Sequence, residues 1–133
     1  MSIIKKKLTP ISYCSIQAGF PSPADDFLES ELNLHDYLIH NKNSTFMVKV
    51  NGDSMVGAGI LSGDILVVDR ARQYKDNNIV IAILDGDLTV KRLIRDCNKK
   101  WILQAETDNP YIIPITGNTL EIWGVVTGVV RNL

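Results

Sequence analysis

Two residues of this chain are of types that can do chemistry, Ser54 and Lys91. Ser54 stands in Gly52-Asp53-Ser54-Met55, just past an alternating apolar run from Phe46 to Val50. That run reads as a strand, and Asn51-Gly52 is the turn that ends it. The segment holds three glycines before Gly63, so its backbone can turn tightly and approach another chain closely. A serine there can present its hydroxyl to a substrate, with the Met55 N–H as an oxyanion donor. The plainer alternative is a loop serine in a Gly-Asp turn. Lys91 belongs to a second stretch, Ile79 to Leu93, which reads as strand, Asp85-Gly86 turn, strand. Alternation puts Thr89 and Lys91 on one face, Leu88 and Val90 on the other. By that pattern alone Lys91 is a solvated lysine, and nothing in it brings Lys91 to Ser54.

If the two do meet, the chemistry is nucleophilic. A serine hydroxyl needs a base, usually histidine, and serine–lysine pairs are a known variant. A lysine amine, with an ordinary pKa of ~10.4, is protonated at neutral pH. Burial disfavours the charged form and can lower that value by as much as ~3–5 units. Leu88, Val90 and Leu93 offer an apolar setting for it. Other candidate ligands and bases are weaker. His35 and His40 are five apart, with no Glu or Cys to join them, and read as surface histidines. Asp53, Asp64 and Asp69 have turn glycines as neighbours and read as turn caps rather than a metal site. No metal or cofactor is expected.

The elements that would position these residues are mostly strands. At 133 residues and 45% hydrophobic, the chain is the size of one domain with a real core. Candidate strands are Thr45–Val50, Asp64–Val68, Asn78–Leu84, Leu88–Ile94, Trp101–Gln104 and Glu121–Val130, all rich in Val and Ile. Their connections are short, and no long helix follows Ser44. The expected fold is mostly β, folded antiparallel sheets over residues 41–133. Residues 1–40 would form a flexible N-terminal arm with one short helix. Within that arm Ile11 to Gln17 reads as a weak strand, and Asp25 to Glu31 as an acidic helical turn. Asn33 is a plausible N-cap for a helix from Leu34 to His40, with Leu34, Tyr37 and Leu38 on one face. Gly19-Phe20-Pro21-Ser22-Pro23 breaks regular structure, which leaves the backbone extended and unpaired, as a protease substrate must be.

Charge and composition limit the partners. A formal net charge of −1 gives no basic field for phosphates, so strong direct binding of nucleic acid is not expected. Lys5-Lys6-Lys7 reads as a solvated tail. Cys14 and Cys97 lack metal-ligand spacing and read as free thiols of a reducing cytosol. The lysines near Met1 precede no apolar stretch of a signal peptide, and no apolar run approaches the ~18 residues of a membrane span. A cytoplasmic protein without a membrane anchor is therefore expected.

Several motifs together resemble the UmuD branch of the LexA/UmuD family of self-cleaving serine peptidases. They are Gly52-Asp53-Ser54-Met55 with Gly63-Asp64, then Asp85-Gly86 with Thr89-Val90-Lys91-Arg92-Leu93. Upstream, Ala18-Gly19-Phe20-Pro21-Ser22-Pro23-Ala24 is similar to the family's cleavage segment, and Thr119 to Val126 to its last strands. The resemblance covers the chain from about Cys14 to Val130. It implies that Ser54 and Lys91 form the catalytic dyad and that the chain cleaves itself between Ala18 and Gly19. It further implies stimulation by a RecA filament on single-stranded DNA. The cleaved form would be a homodimeric accessory subunit of an error-prone translesion polymerase, beside a UmuC-like subunit. The family dimerises through the region Glu121 to Val130, and that strand's valines and terminal position suit a sheet edge. Only 18 residues precede the Ala18–Gly19 bond, too few for a helix-turn-helix. This favours the UmuD branch over a repressor, although the Ala-Gly dipeptide itself is LexA-like. A LexA-like phage or plasmid regulator without a DNA-binding domain is the alternative. A general membrane or secreted peptidase would need an anchor, and a non-enzymatic binding module would not need both Ser54 and Lys91.

Overall fold

A computed structural model describes residues 11–19, 28–115 and 120–133. The chain divides into two compact units, Met1–His40 and Asn41–Leu133. In the first unit, strand β1 (Ile11–Cys14) pairs antiparallel with β2 (Leu28–Leu32). The stretch expected to turn helically from Asp25 to Glu31 therefore ends in a strand. Its first three residues lie outside the described ones, as do Lys5–Lys7, Phe20–Pro23, Thr119 and the side chain of Cys14. Helix α1 (Leu34–Leu38) starts where expected, because the Asn33 side chain accepts the Asp36 N–H at 3.2 Å. It stops two residues short of His40, and its expected apolar face is not buried: Leu34 and Tyr37 are both more than half exposed. His35 contacts Asp36, and His40 meets the Tyr37 carbonyl. Residues 15–19, which include Ala18 and Gly19, are exposed and form no strand or helix.

The second unit is one seven-stranded antiparallel sheet in the order β3-β4-β9-β5-β6-β7-β8. Its strands are β3 (Thr45–Lys49), β4 (Ile65–Asp69), β5 (Ile79–Leu84), β6 (Asp87–Arg95), β7 (Trp101–Gln104), β8 (Ile112–Pro114) and β9 (Glu121–Val130). The mostly-β, antiparallel fold expected from the sequence is the fold observed. Strand β8 was not legible as a strand: it is three residues long and ends in a proline. Strand β5 is apolar at every position because both of its faces are covered. Ile81 joins one cluster with Met55, Ile60, Leu66 and Val68, whereas Val80 and Ala82 join another with Leu93, Leu103 and Val125.

Strand β9 is not a terminal strand of the sheet, as its valine content and end position had suggested. It lies between β4 and β5, with Glu121–Val125 in register with β5 and Val125–Val130 in register with β4. Each half thus pairs along one edge, on opposite sides of the strand.

Candidate active site

Ser54 is carried by the loop between β3 and β4, and that loop is closed at its base. The Val50 N–H donates to the Asp64 carbonyl and the Gly63 N–H to the Val50 carbonyl, each at 2.8 Å. Inside it, the 3-10 helix Val56–Ala58 folds back so that the Ala58 and Ile60 N–H groups donate to the Met55 carbonyl. The side chains of Met55 and Ile60 are each 1% exposed and anchor the loop in the core. The serine's immediate neighbour is therefore fixed by burial, and the serine with it.

A second restraint comes from the segment after β7. The Glu106 N–H donates to the Ser54 carbonyl at 2.8 Å, and the Gly57 N–H donates to the Glu106 carbonyl at 2.7 Å. A Cβ at Gly57 would stand 2.9 Å from that same carbonyl oxygen, so glycine permits the close approach. The Glu106 carboxylate accepts the Arg92 Nε–H at 2.5 Å. At the far end of the loop, Arg131 grips Asp64 with two hydrogen bonds of 2.6 Å and also donates to the Gly59 carbonyl at 2.8 Å. The Leu61 N–H adds a further bond to Asp64 at 2.7 Å. The Arg131 guanidinium, helped by Leu61, lowers the Asp64 carboxyl from its usual 3.8 to about 2. Asp69 is lowered too, chiefly by the Ser44 hydroxyl at 2.7 Å, with the Ala71 N–H adding to it. Both aspartates thus accept backbone N–H groups in turns, the capping role expected of them.

Lys91 is only 5% exposed, not the solvated lysine its alternation pattern indicated. It shares a face of β6 with Thr89 and with fully buried Leu93. Its Nζ lies 3.1 Å from Ser54 Oγ, 2.9 Å from Thr89 Oγ1 and 3.2 Å from the Val90 carbonyl. The Tyr111 ring centre is 5.8 Å away. Among the described residues no carboxylate comes within 4.0 Å of this amine. A cavity of about 300 Å³ opens beside Ser54, walled by Val48, Val50, Leu66, Ile81, Leu88 and Val90.

The structure thus brings together Ser54, Met55 and Lys91. Leu88, expected to shelter the amine, is instead 53% exposed, and Leu93 and Thr89 are its neighbours along the strand face. Ala18 and Gly19 belong to the other unit. Among the described residues no backbone carbonyl takes the Met55 N–H, whereas those of Val56 and Gly57 are engaged. Thr89, Glu106, Tyr111 and Arg131 carried no assignment from the sequence. Thr89 was within reach of the alternation rule, two residues before Lys91. The others come from distant parts of the chain and had no local signal.

The family model for Peptidase S24-like proteins matches residues 10–127, nearly the whole chain. The chain belongs to that family. Among curated proteins, it is 44% identical to Protein ImpA of Salmonella typhimurium over 116 residues, covering 87% of this chain and 79% of that protein. Protein MucA of Escherichia coli is 41% identical, with coverages of 84% and 77%. The LexA repressor of Desulfitobacterium hafniense is 34% identical over 118 residues, which is 89% of this chain and 56% of that repressor. These relatives and the family match make this chain a UmuD-like member of the LexA/UmuD serine peptidase class.

Proposed function

We propose that this protein is an SOS-response peptidase that cleaves its own chain between Ala18 and Gly19 through a Ser54–Lys91 dyad. The single observation that carries the reading is the buried Lys91 amine, 3.1 Å from Ser54 Oγ, among acceptors and with no carboxylate within 4.0 Å among the described residues. A neutral amine has two N–H donors and one lone pair. Thr89 Oγ1 and the Val90 carbonyl take the two donors, which turns the lone pair toward Ser54. Lys91 then removes the Ser54 hydroxyl proton as Oγ attacks the Ala18 carbonyl carbon. The Met55 N–H, which no backbone carbonyl takes among the described residues, donates to the oxyanion. Collapse breaks the Ala18–Gly19 bond, Lys91 passes its proton to the Gly19 nitrogen, and water releases the acyl group from Ser54. The exposed, irregular backbone at residues 15–19 suits a substrate segment.

In the same reading a RecA filament on single-stranded DNA favours the cleavable conformation, a population shift rather than new chemistry. The cleaved form acts in the cytoplasm as a homodimeric accessory subunit of a translesion polymerase, with a UmuC-like partner. Among the described residues the half of β9 from Val126 to Val130 pairs along one edge, which supports dimerisation there. Incubation with RecA, single-stranded DNA and a nucleoside triphosphate analogue, followed by intact mass, tests the proposal. A fragment beginning at Gly19 is expected; a different terminus overturns the site, and no cleavage with or without RecA overturns the activity.

A further inference from the structure

Arg92 and Glu106 sit next to the dyad and play no part in the proton transfer. Lys91 and Arg92 are adjacent on β6, so their side chains leave opposite faces of the strand. Lys91 reaches the Ser54 hydroxyl. Arg92 reaches the Glu106 carboxylate, and its second nitrogen donates to the Asn77 carbonyl at 2.8 Å. Asn77 is itself held, with a φ of 72° and its N–H on the Leu93 carbonyl at 2.8 Å. The guanidinium is therefore braced between the Glu106 carboxylate and a fixed turn. Glu106 stands just past β7, outside the β6–β7 register, which ends at the Arg92–Gln104 pair. Its backbone makes two hydrogen bonds, the N–H giving one to the Ser54 carbonyl and the carbonyl taking one from the Gly57 N–H. The Ala105 N–H just before it continues the β7–β8 pairing by donating to the Tyr111 carbonyl at 3.0 Å, and beyond that bond the Glu106 side chain and its arginine add the remaining hold.

We infer that Arg92 and Glu106 are a positioning pair, which fixes the Ser54 main chain on the strand that supplies Lys91. Neither touches the reacting atoms. The same two-residue step of β6 then holds both ends of the nucleophile: its hydroxyl through Lys91, its carbonyl through Glu106. The inference rests on the Ser54–Lys91 reading for its effect on rate, but its effect on the loop stands without it. A displacement of ~1 Å at a nucleophile can cost ~100-fold in rate. Both side chains are about a quarter exposed, so the pair contributes little to global stability.

The test uses the full chain with Arg92→Gln, Glu106→Gln, the double variant, and Arg92→Lys with Glu106→Asp as milder replacements. Hydrogen exchange is followed at the Glu106 and Gly57 amides, and cleavage is followed against pH. In both Gln variants the two amides should exchange at least about tenfold faster while the β4–β9 amides keep their protection. Cleavage should fall about 10–100-fold at every pH, with its pH dependence unmoved because Lys91 is untouched. The double variant should be no slower than the slower single one, the mark of two residues acting as a unit. If a Gln variant does not fold, the milder replacements carry the test and should show the same changes, smaller in size. Cleavage within twofold of wild type, or unchanged exchange at the two amides, overturns the inference. A wild type that never cleaves overturns the proposed activity instead, and the amide exchange then decides the positioning role by itself.

Discussion

Replacing Lys91 with methionine should abolish cleavage without weakening the fold. The amine is 5% exposed, and its polar contacts are two hydroxyls and one carbonyl, with no carboxylate among the described residues to balance a charge. Exchanging a buried polar group for an apolar one of similar volume removes its desolvation cost, ~1–3 kcal/mol. Against that gain stand the partners left behind. A buried acceptor without a donor costs ~1–3 kcal/mol, but Ser54 and Thr89 border the open cavity and water can replace the amine there. The net expectation is a stability between unchanged and about 2 kcal/mol higher. For a unit the size of Asn41–Leu133, each kcal/mol moves the melting temperature by about 4–8 °C. Thermal unfolding of Lys91→Met should therefore show an unchanged or raised Tm, while intact mass shows no fragment beginning at Gly19. A Tm lower by more than about 8 °C would mean that the amine is held there for the fold. Cleavage at the wild-type rate would remove Lys91 from the mechanism altogether.

Cleavage without RecA should speed up from neutral to alkaline pH, because the unprotonated amine is the base; a rate that is flat or falls over that range refutes that role. The Asp64–Arg131 contact should set the acid limit of the fold. Its carboxyl titrates near 2 when folded, against 3.8 otherwise, so its stabilisation is complete above about pH 4 and is lost as the pH falls through 2. Arg131→Met should move the acid-unfolding midpoint, followed by circular dichroism, to higher pH, and a midpoint that stays in place refutes the assignment. Val129 is 40% exposed on the half of β9 that pairs along one edge, so Val129→Asp should convert a dimer to a monomer in sedimentation with little change in Tm; a dimer that persists excludes that edge.

How much of this was legible from residues alone differs from element to element. The strands were legible because their valines and isoleucines alternate or run together between Gly and Asp turns, and burial dictates that pattern locally. The Asn33 cap was legible because a cap is a contact over three residues. In the Asp25–Glu31 stretch the described part, Leu28 to Glu31, is strand rather than helical turn, because acidic residues indicate a helix start only when no partner strand competes, and β1 competes here. Strand β9 was misplaced for a similar reason: strand order is set by pairings between distant segments, here β4 and β5. The site shows the same division. The sequence alone marked Ser54, Met55 and Lys91 as chemical types in suitable turns and strands, and their motifs marked the family. Only the tertiary structure decided that Lys91 is buried. It also decided that its amine faces Ser54 across a separation of 37 residues, and that Glu106, Arg92 and Arg131 hold the loop in place. Each of those contacts joins segments far apart in the chain. Local propensity carries no information about such distances, whereas the packing of a shared core fixes them.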